Sequence, residues 1–391
     1  VTMVLTEAQN LLKDTARDFI QSKAPVAALR QLREYYKDLP EGSCNAAAIE
    51  LGYSQELWEQ MSELGWAGIV IPEAYGGLEF GYQGLGVVLE ECGRTLAASP
   101  LFATVALGAG CIQEIGSDEQ KQTLLPKVAE GRTTLALALE EHPRHTPTRI
   151  ATCAEATDDG YTLKGFKTFV LDGHCADQLV VVARTSGGIE ESEGISLFLV
   201  DANAPGVRRS RTAMLDSRNV ARIVFDNVRL KSEALIGMEG QGYPALETVL
   251  DRARILLAAE MLGGVQECFE RTIEYLKERE QFGTKIGSFQ ALQHRAAKML
   301  TEVELSQAAV MAALSALDEN SSNARLLASL VKARLNDTFE LITNEAVQMH
   351  GGMGVTDELD IGLFLKRARV TMQILGDSSY HRDRYASLSG Y

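Results

Sequence analysis

The sequence predicts an α+β chain in three consecutive parts: helices over residues 1–132, a β domain over 133–235 and helices again over 236–391. Two observations predict this. The apolar period changes from 3.6 to 2 near Thr133 and returns to 3.6 near Tyr243. The last part also places Gly283, Gly287, Gly351, Gly352 and Gly354 between long helical stretches, where connecting turns belong. A length of 391 residues agrees, since one domain per roughly 150 residues gives two or three.

In the first part Leu11, Leu12, Ala16, Phe19 and Ile20 recur at three- and four-residue steps, the stripe of an amphipathic helix. Further helices are expected over 54–64, 84–94 and 118–128, with a Pro/Gly-rich loop over 71–77. In the middle part short strands are expected over 134–140, 161–164, 167–171, 178–183, 195–200 and 222–225. Residues 186–194 carry three glutamates and three glycines and read as an exposed hairpin loop. In the last part long helices are expected over 245–279, 289–317, 324–350 and 361–375.

Composition removes several classes of function. The 38 basic and 53 acidic side chains leave a net charge of −15, which excludes a broad basic footprint for nucleic acid. No apolar run approaches the roughly 18 residues of a membrane span. Glu7, Lys13, Asp14, Arg17 and Asp18 break any signal-peptide core in the first twenty residues. Six cysteines lie far apart without a C-x-x-C, which fits reduced thiols and a cytoplasmic protein. No histidine spacing suits a metal.

Two motifs carry chemistry. One is Arg279-Glu280-Gln281-Phe282-Gly283-Thr284-Lys285-Ile286-Gly287-Ser288-Phe289-Gln290, followed by Gln293-His294. The other is Gln348-Met349-His350-Gly351-Gly352-Met353-Gly354, whose glycines admit close approach by a backbone or a phosphate. With Pro72-Glu73-Ala74-Tyr75-Gly76-Gly77 and Gly165-Phe166-Lys167-Thr168-Phe169-Val170, they make the whole chain resemble the acyl-CoA dehydrogenase family.

That resemblance implies a helical N-terminal domain, a sandwich- or barrel-like middle domain and a C-terminal four-helix bundle. It implies FAD between the last two, shared across a subunit boundary in a dimer or tetramer. It also implies an acyl-CoA substrate and an electron-transfer flavoprotein, or similar, as acceptor. Arg279 matches the arginine that meets the FAD pyrophosphate, where a planar fork suits phosphate oxygens. Phe282, Gln348, Gly351 and Gly352 match neighbouring contacts, and Ser378 falls beside the cofactor. Phe169 takes the place of the usual tryptophan against the flavin. Arg254 matches an arginine of the CoA channel, and Glu90 and Glu91 lie on the helix under the acyl pocket.

The sequence departs from the family at the flavin loop, where T-E-P-x-x-G-S-D is replaced by Glu140-Glu141-His142-Pro143-Arg144-His145-Thr146. It departs again at the catalytic base. The family's glutamate aligns with Gly376, and the alternative position, before Arg254, is Ala253. Asp377 is the carboxylate beside the aligned position and the candidate base; burial would bring its pKa toward the range useful for removing an α-proton. Glu90 or Glu91 is the second candidate. The third is no base at all in this chain, as in the base-lacking subunit of α2β2 heterotetramers that act on steroid side-chain CoA thioesters. A lyase or oxidase on the same fold is the remaining alternative.

Overall fold

The computed structural model describes residues 5–37 and 51–391; Cys44 lies outside them. Helices α1 (Glu7–Lys23), α2 (Val26–Lys37) and α3 (Gln55–Glu63) precede α4 (Tyr82–Thr95). A π-helical stretch, Phe102–Ala109, runs into α5 (Gly110–Ile115), and α6 (Asp118–Ala129) follows. The strands are β1 (Leu135–Ala138), β2 (Cys153–Thr157), β3 (Gly160–Leu171), β4 (Gln178–Arg184), β5 (Ile195–Asp201), β6 (Val207–Ala213), β7 (Asn219–Lys231) and β8 (Leu235–Ile236). Then come α7 (Tyr243–Glu278), the two-residue strands β9 (Glu280–Gln281) and β10 (Thr284–Lys285), α8 (Gln290–Asp318), α9 (Ala324–His350), α10 (Ile361–Thr371) and α11 (Ser378–Leu388).

The differences from the sequence expectation have physical causes. The π-helical stretch is buried at every residue, so it shows no amphipathic stripe. Helix α11 buries only His381 and has no apolar period either. Helix α10 stops at Thr371, short of the expected 375. Strand β3 joins two expected strands into one, with register shifts at Leu163/Gly165 and Lys167/Val170. Such irregularities interrupt the alternation on which a strand assignment rests. Leu11, counted in the first apolar stripe, is 68% exposed, while Ala16 and Ile20 of that stripe are buried.

The compact units cut across the three zones of the sequence. One joins the chain up to Arg30 with Tyr82–Ala97 and Arg254–Tyr391; the other holds Gln31–Gly81 and Ala98–Ala253. In the second unit the sheet runs β6-β7-β3-β2-β4-β5-β8, with β1 parallel to β4. Its core includes Leu163, Leu179, Val181, Phe198, Ile223 and Phe225. Residues 186–194 do close the antiparallel β4–β5 hairpin. They are held from inside: the Arg184 guanidinium donates to the carbonyls of Thr148, Ile150, Ile189, Glu191 and Glu193 at 2.8–3.2 Å.

In the first unit α1 packs on α4, α4 on α8, and α9 on α8, α10 and α11. Glycines set the closest approach, because a Cβ on Gly93 would lie 1.9 Å from the Glu260 carbonyl and one on Gly263 would lie 1.8 Å from that of Glu90. Helix α8 is the one described helix long and apolar enough to cross a membrane, by length and composition only. Its Met299, Val303, Val310 and Leu314 are buried in the bundle, which accounts for that apolarity.

Candidate active site

The helices that lead into the two glycine motifs are tied together at one end of the helical unit. The Tyr275 ring stacks on His350 with centroids 4.2 Å apart, tying the end of α7 to the end of α9. Burial lowers the His350 pKa below the ordinary histidine value, against the pull of the Ala346 carbonyl that its Nδ1 meets at 2.7 Å. Beyond this stack β9 and β10 form a tight hairpin, closed by Phe282 at φ +54° and Gly283 at φ +76°. Phe282 is 92% exposed, Arg279 three residues before it is exposed, and so is Gln348 near the end of α9.

The glycines of the second motif divide by task. A Cβ on Gly351 or Gly352 would meet nothing within 4 Å, so both face open space. A Cβ on Gly354 would lie 2.4 Å from the Val347 carbonyl, so that glycine serves packing. Arg279 is thus an exposed guanidinium, Phe282 an exposed aromatic ring, and Gly351 and Gly352 open backbone.

A second cluster surrounds Gly376. Asp377 is the N-cap of α11, its carboxylate accepting the Tyr380 N–H at 2.8 Å. The structure thus gives the candidate base a helix-capping task. Ser378 donates to Asp337 at 2.7 Å. Gly376 has φ +111°, and a Cβ there would lie 2.5 Å from the Tyr380 ring and 2.8 Å from His381 Nε2. A glutamate therefore does not fit at the aligned position without moving Tyr380.

Two fully buried basic side chains flank this turn. Arg254, from α7, donates to the Tyr380 hydroxyl at 3.2 Å, with its guanidinium 5.7 Å from the Tyr380 ring centroid. Lys332, from α9, donates to Asn336 Oδ1 at 2.6 Å, the Thr371 carbonyl at 3.0 Å and the Gly376 carbonyl at 3.1 Å. Burial and then the nearby Arg254 charge push its pKa well below the ordinary lysine range. Sequence reasoning missed Lys332 and Tyr380. The available signal was a lysine on the apolar stripe Ala328, Val331, Leu335, Phe339, four residues before Asn336.

Glu90 and Glu91 are both engaged. Glu90 pairs with Lys13 at 2.8 Å and, with Asn10, Gln83, Val310 and Leu314, lines a cavity of about 250 Å³. Glu91 is 1% exposed and held by Arg17 at 3.1 Å and Arg94 at 3.7 Å; burial raises its pKa against the pull of those arginines.

In the sheet unit the loop after β1 is anchored by charge. Lys167 is fully buried and donates to Glu141 at 2.7 Å and to the Leu139 carbonyl at 3.0 Å. Glu141 also accepts the N–H groups of Ala151 at 2.6 Å and Thr152 at 3.0 Å. Burial raises the Glu141 carboxyl, but Lys167 and the N–H donors outweigh it and hold it below the ordinary range. Lys167 itself is pushed down by burial to about 8, against the pull of Glu141. Next to this pair His145 Nδ1 meets Glu140 at 2.5 Å, and the Glu140 carbonyl accepts the Thr168 N–H at 2.8 Å. Phe169, which follows, is half-buried at φ +53°.

Three family models cover most of the sequence: the acyl-CoA dehydrogenase N-terminal domain over residues 6–132, the middle domain over 137–228 and the C-terminal domain over 240–388. The chain belongs to the acyl-CoA dehydrogenase family. Cyclohex-1-ene-1-carbonyl-CoA dehydrogenase of Geobacter metallireducens is 31% identical over 386 residues, covering 97% of each chain. Butyryl-CoA dehydrogenase from Megasphaera elsdenii superposes with a TM-score of 0.89 at 26% identity, over 99% of each chain. The ChsE4–ChsE5 complex from Mycobacterium tuberculosis matches with a TM-score of 0.87 at 25% identity, over 100% of each chain. Acyl-CoA dehydrogenases are flavoprotein oxidoreductases that act on CH–CH groups, and the helical, β and helical domain order seen here is that of the family.

Proposed function

We propose that this chain binds FAD and takes part in the α,β-desaturation of an acyl-CoA thioester. The observation that carries the reading is that the Tyr275–His350 stack ties the end of α7 to the end of α9, the two helix ends from which the exposed Arg279 and Phe282 and the exposed Gln348, Gly351 and Gly352 lead. These are the residues that would hold the pyrophosphate and adenosine parts of FAD, shared with a second subunit. The flavin, when bound, supplies the acceptor for the β-hydride. In the sheet unit, Phe169 offers an apolar face for its ring system. Arg254 is a buried cation for the thioester end of the substrate on an otherwise acidic chain. An electron-transfer flavoprotein is the fitting acceptor for the reduced protein.

A second reading is favoured by a specific observation. Gly376 and Ala253 remove both carboxylate positions, and the Tyr380 ring closes the space at the first. On that reading the chain is the base-lacking subunit of a heteromeric dehydrogenase, and the similarity to the ChsE4–ChsE5 complex supports it. Anaerobic titration of the purified protein with a panel of acyl-CoAs, followed by flavin bleaching, separates the two. Bleaching by the chain alone supports the first reading. Bleaching only after mixing with a homologous base-bearing chain supports the second. A protein that takes up no FAD on reconstitution, in wild type as in Arg279→Ala, refutes both.

A further inference from the structure

From the corner around Gly376 we infer that the Tyr380 hydroxyl, held by Arg254, is the group on this chain that exchanges the substrate α-proton. The inference rests on the dehydrogenase reading above and names the base which that reading leaves open.

Three observations converge. The Tyr380 ring lies 2.5 Å from the point where a side chain on Gly376 would begin, so it occupies the space into which a side chain at that position would grow. Its hydroxyl receives a hydrogen bond from Arg254 Nη2 at 3.2 Å, and that arginine is fully buried. The neighbouring carboxylate is committed elsewhere, since Asp377 caps α11 through the Tyr380 N–H. Tyr380 is half-buried, so it is not sealed within the bundle as Lys332 is.

The chemistry follows from the charges. A guanidinium donating to a phenol oxygen favours the phenolate, because hydrogen bonding to the charged form stabilises it. In the proposed step the Cα–H bond of the acyl-CoA breaks and an O–H bond forms on Tyr380. The electron pair stays with the α-carbon as the thioester enolate; FAD, when bound, would supply the acceptor for the β-hydride. Arg254 acts as a positioning residue for the phenolate.

The test compares Tyr380→Phe with wild type in two measurements that do not depend on turnover. Tyr380→Phe keeps the ring against Gly376 and His381 and deletes only the oxygen. Hydrogen–deuterium exchange at the α-carbon of bound acyl-CoA is expected to fall by about 10²–10⁴, with acyl-CoA affinity and FAD content unchanged. The second measurement is ¹³Cζ-tyrosine NMR on flavin-free protein. Among the 11 tyrosines, one resonance displaced toward phenolate is expected, absent in Tyr380→Phe and moved back in both Arg254→Gln and Arg254→Lys. An ordinary phenol resonance for Tyr380 in wild type overturns the assignment, whatever the activity. So does full exchange in Tyr380→Phe, or exchange lost in Asp377→Asn but kept in Tyr380→Phe. Wild-type exchange that appears only with a partner chain overturns it in favour of the base-lacking subunit. If wild type binds neither FAD nor any acyl-CoA, the dehydrogenase reading fails, and the assignment fails with it.

Discussion

Lys167 in the sheet unit and Lys332 in the helical unit are both sealed from solvent, yet they are neutralised differently. Lys167 meets a carboxylate, Glu141, and the pair fastens the loop that follows β1. Lys332 meets only neutral oxygens among its hydrogen-bond acceptors, two backbone carbonyls and an amide, and fastens the turn between α10 and α11. The difference lies in what each leaves behind when it is lost. Removing Lys167 strands a buried anion; removing Lys332 strands dipoles, and desolvating an unpaired charge costs more than desolvating an unpaired carbonyl.

The largest effect is therefore expected at Lys167. Lys167→Met should destabilise the protein by about 3–5 kcal/mol in urea unfolding, and adding Glu141→Gln should recover part of the loss by removing the stranded charge. A cost below about 1 kcal/mol would show that the pair behaves as a surface ion pair does. The same pair predicts a pH effect. Glu141 has a folded pKa below its ordinary value of 4.5, so its stabilisation is fully present above that pH. It is lost as the pH falls through the lower folded value. Wild type should lose its stability advantage over Glu141→Gln in that acid window, and an advantage unchanged by acid would contradict the charge argument.

A smaller effect is expected at Lys332. Lys332→Met should cost about 1–3 kcal/mol, the range for backbone acceptors left without partners. If it costs as much as Lys167→Met under the same conditions, the contrast between charge and dipole fails. The smallest effect belongs to the cap at the same turn. Asp377→Ala should cost about 1 kcal/mol, whereas Asp377→Asn, which keeps a capping oxygen, should cost only a few tenths. Equal losses for the two would mean that the carboxylate's charge matters more than its capping bond.

The elements that carry strong periodicity were legible in the sequence. Helix α9 starts and ends where its pattern does, and β4 and β5 form the expected hairpin around residues 186–194. The flavin loop was legible only as a departure. The sequence shows Glu140 to Thr146 out of step with the family motif, but not that Glu141 turns inward to a buried lysine. That contact joins residues 26 apart, and it exists because β3 carries Lys167 to the Glu141 carboxylate.

The sequence by itself determined the family, the order of helical and β parts and the two glycine motifs, because each is written in consecutive residues or in a fixed local period. It also determined that Gly376 and Ala253 bring no carboxylate. Tertiary structure alone decided that α1 and α4 join the C-terminal helices in one compact unit, and that Arg17 of α1 reaches Glu91 on α4. It alone decided that Tyr380 closes the space beside Gly376 beneath the Arg254 guanidinium. Those outcomes depend on side chains far apart in the chain, 74 residues for Arg17 and Glu91 and 126 for Arg254 and Tyr380, meeting in a low-dielectric interior, where the energy of a hydrogen bond or charge is set by burial and not by sequence position.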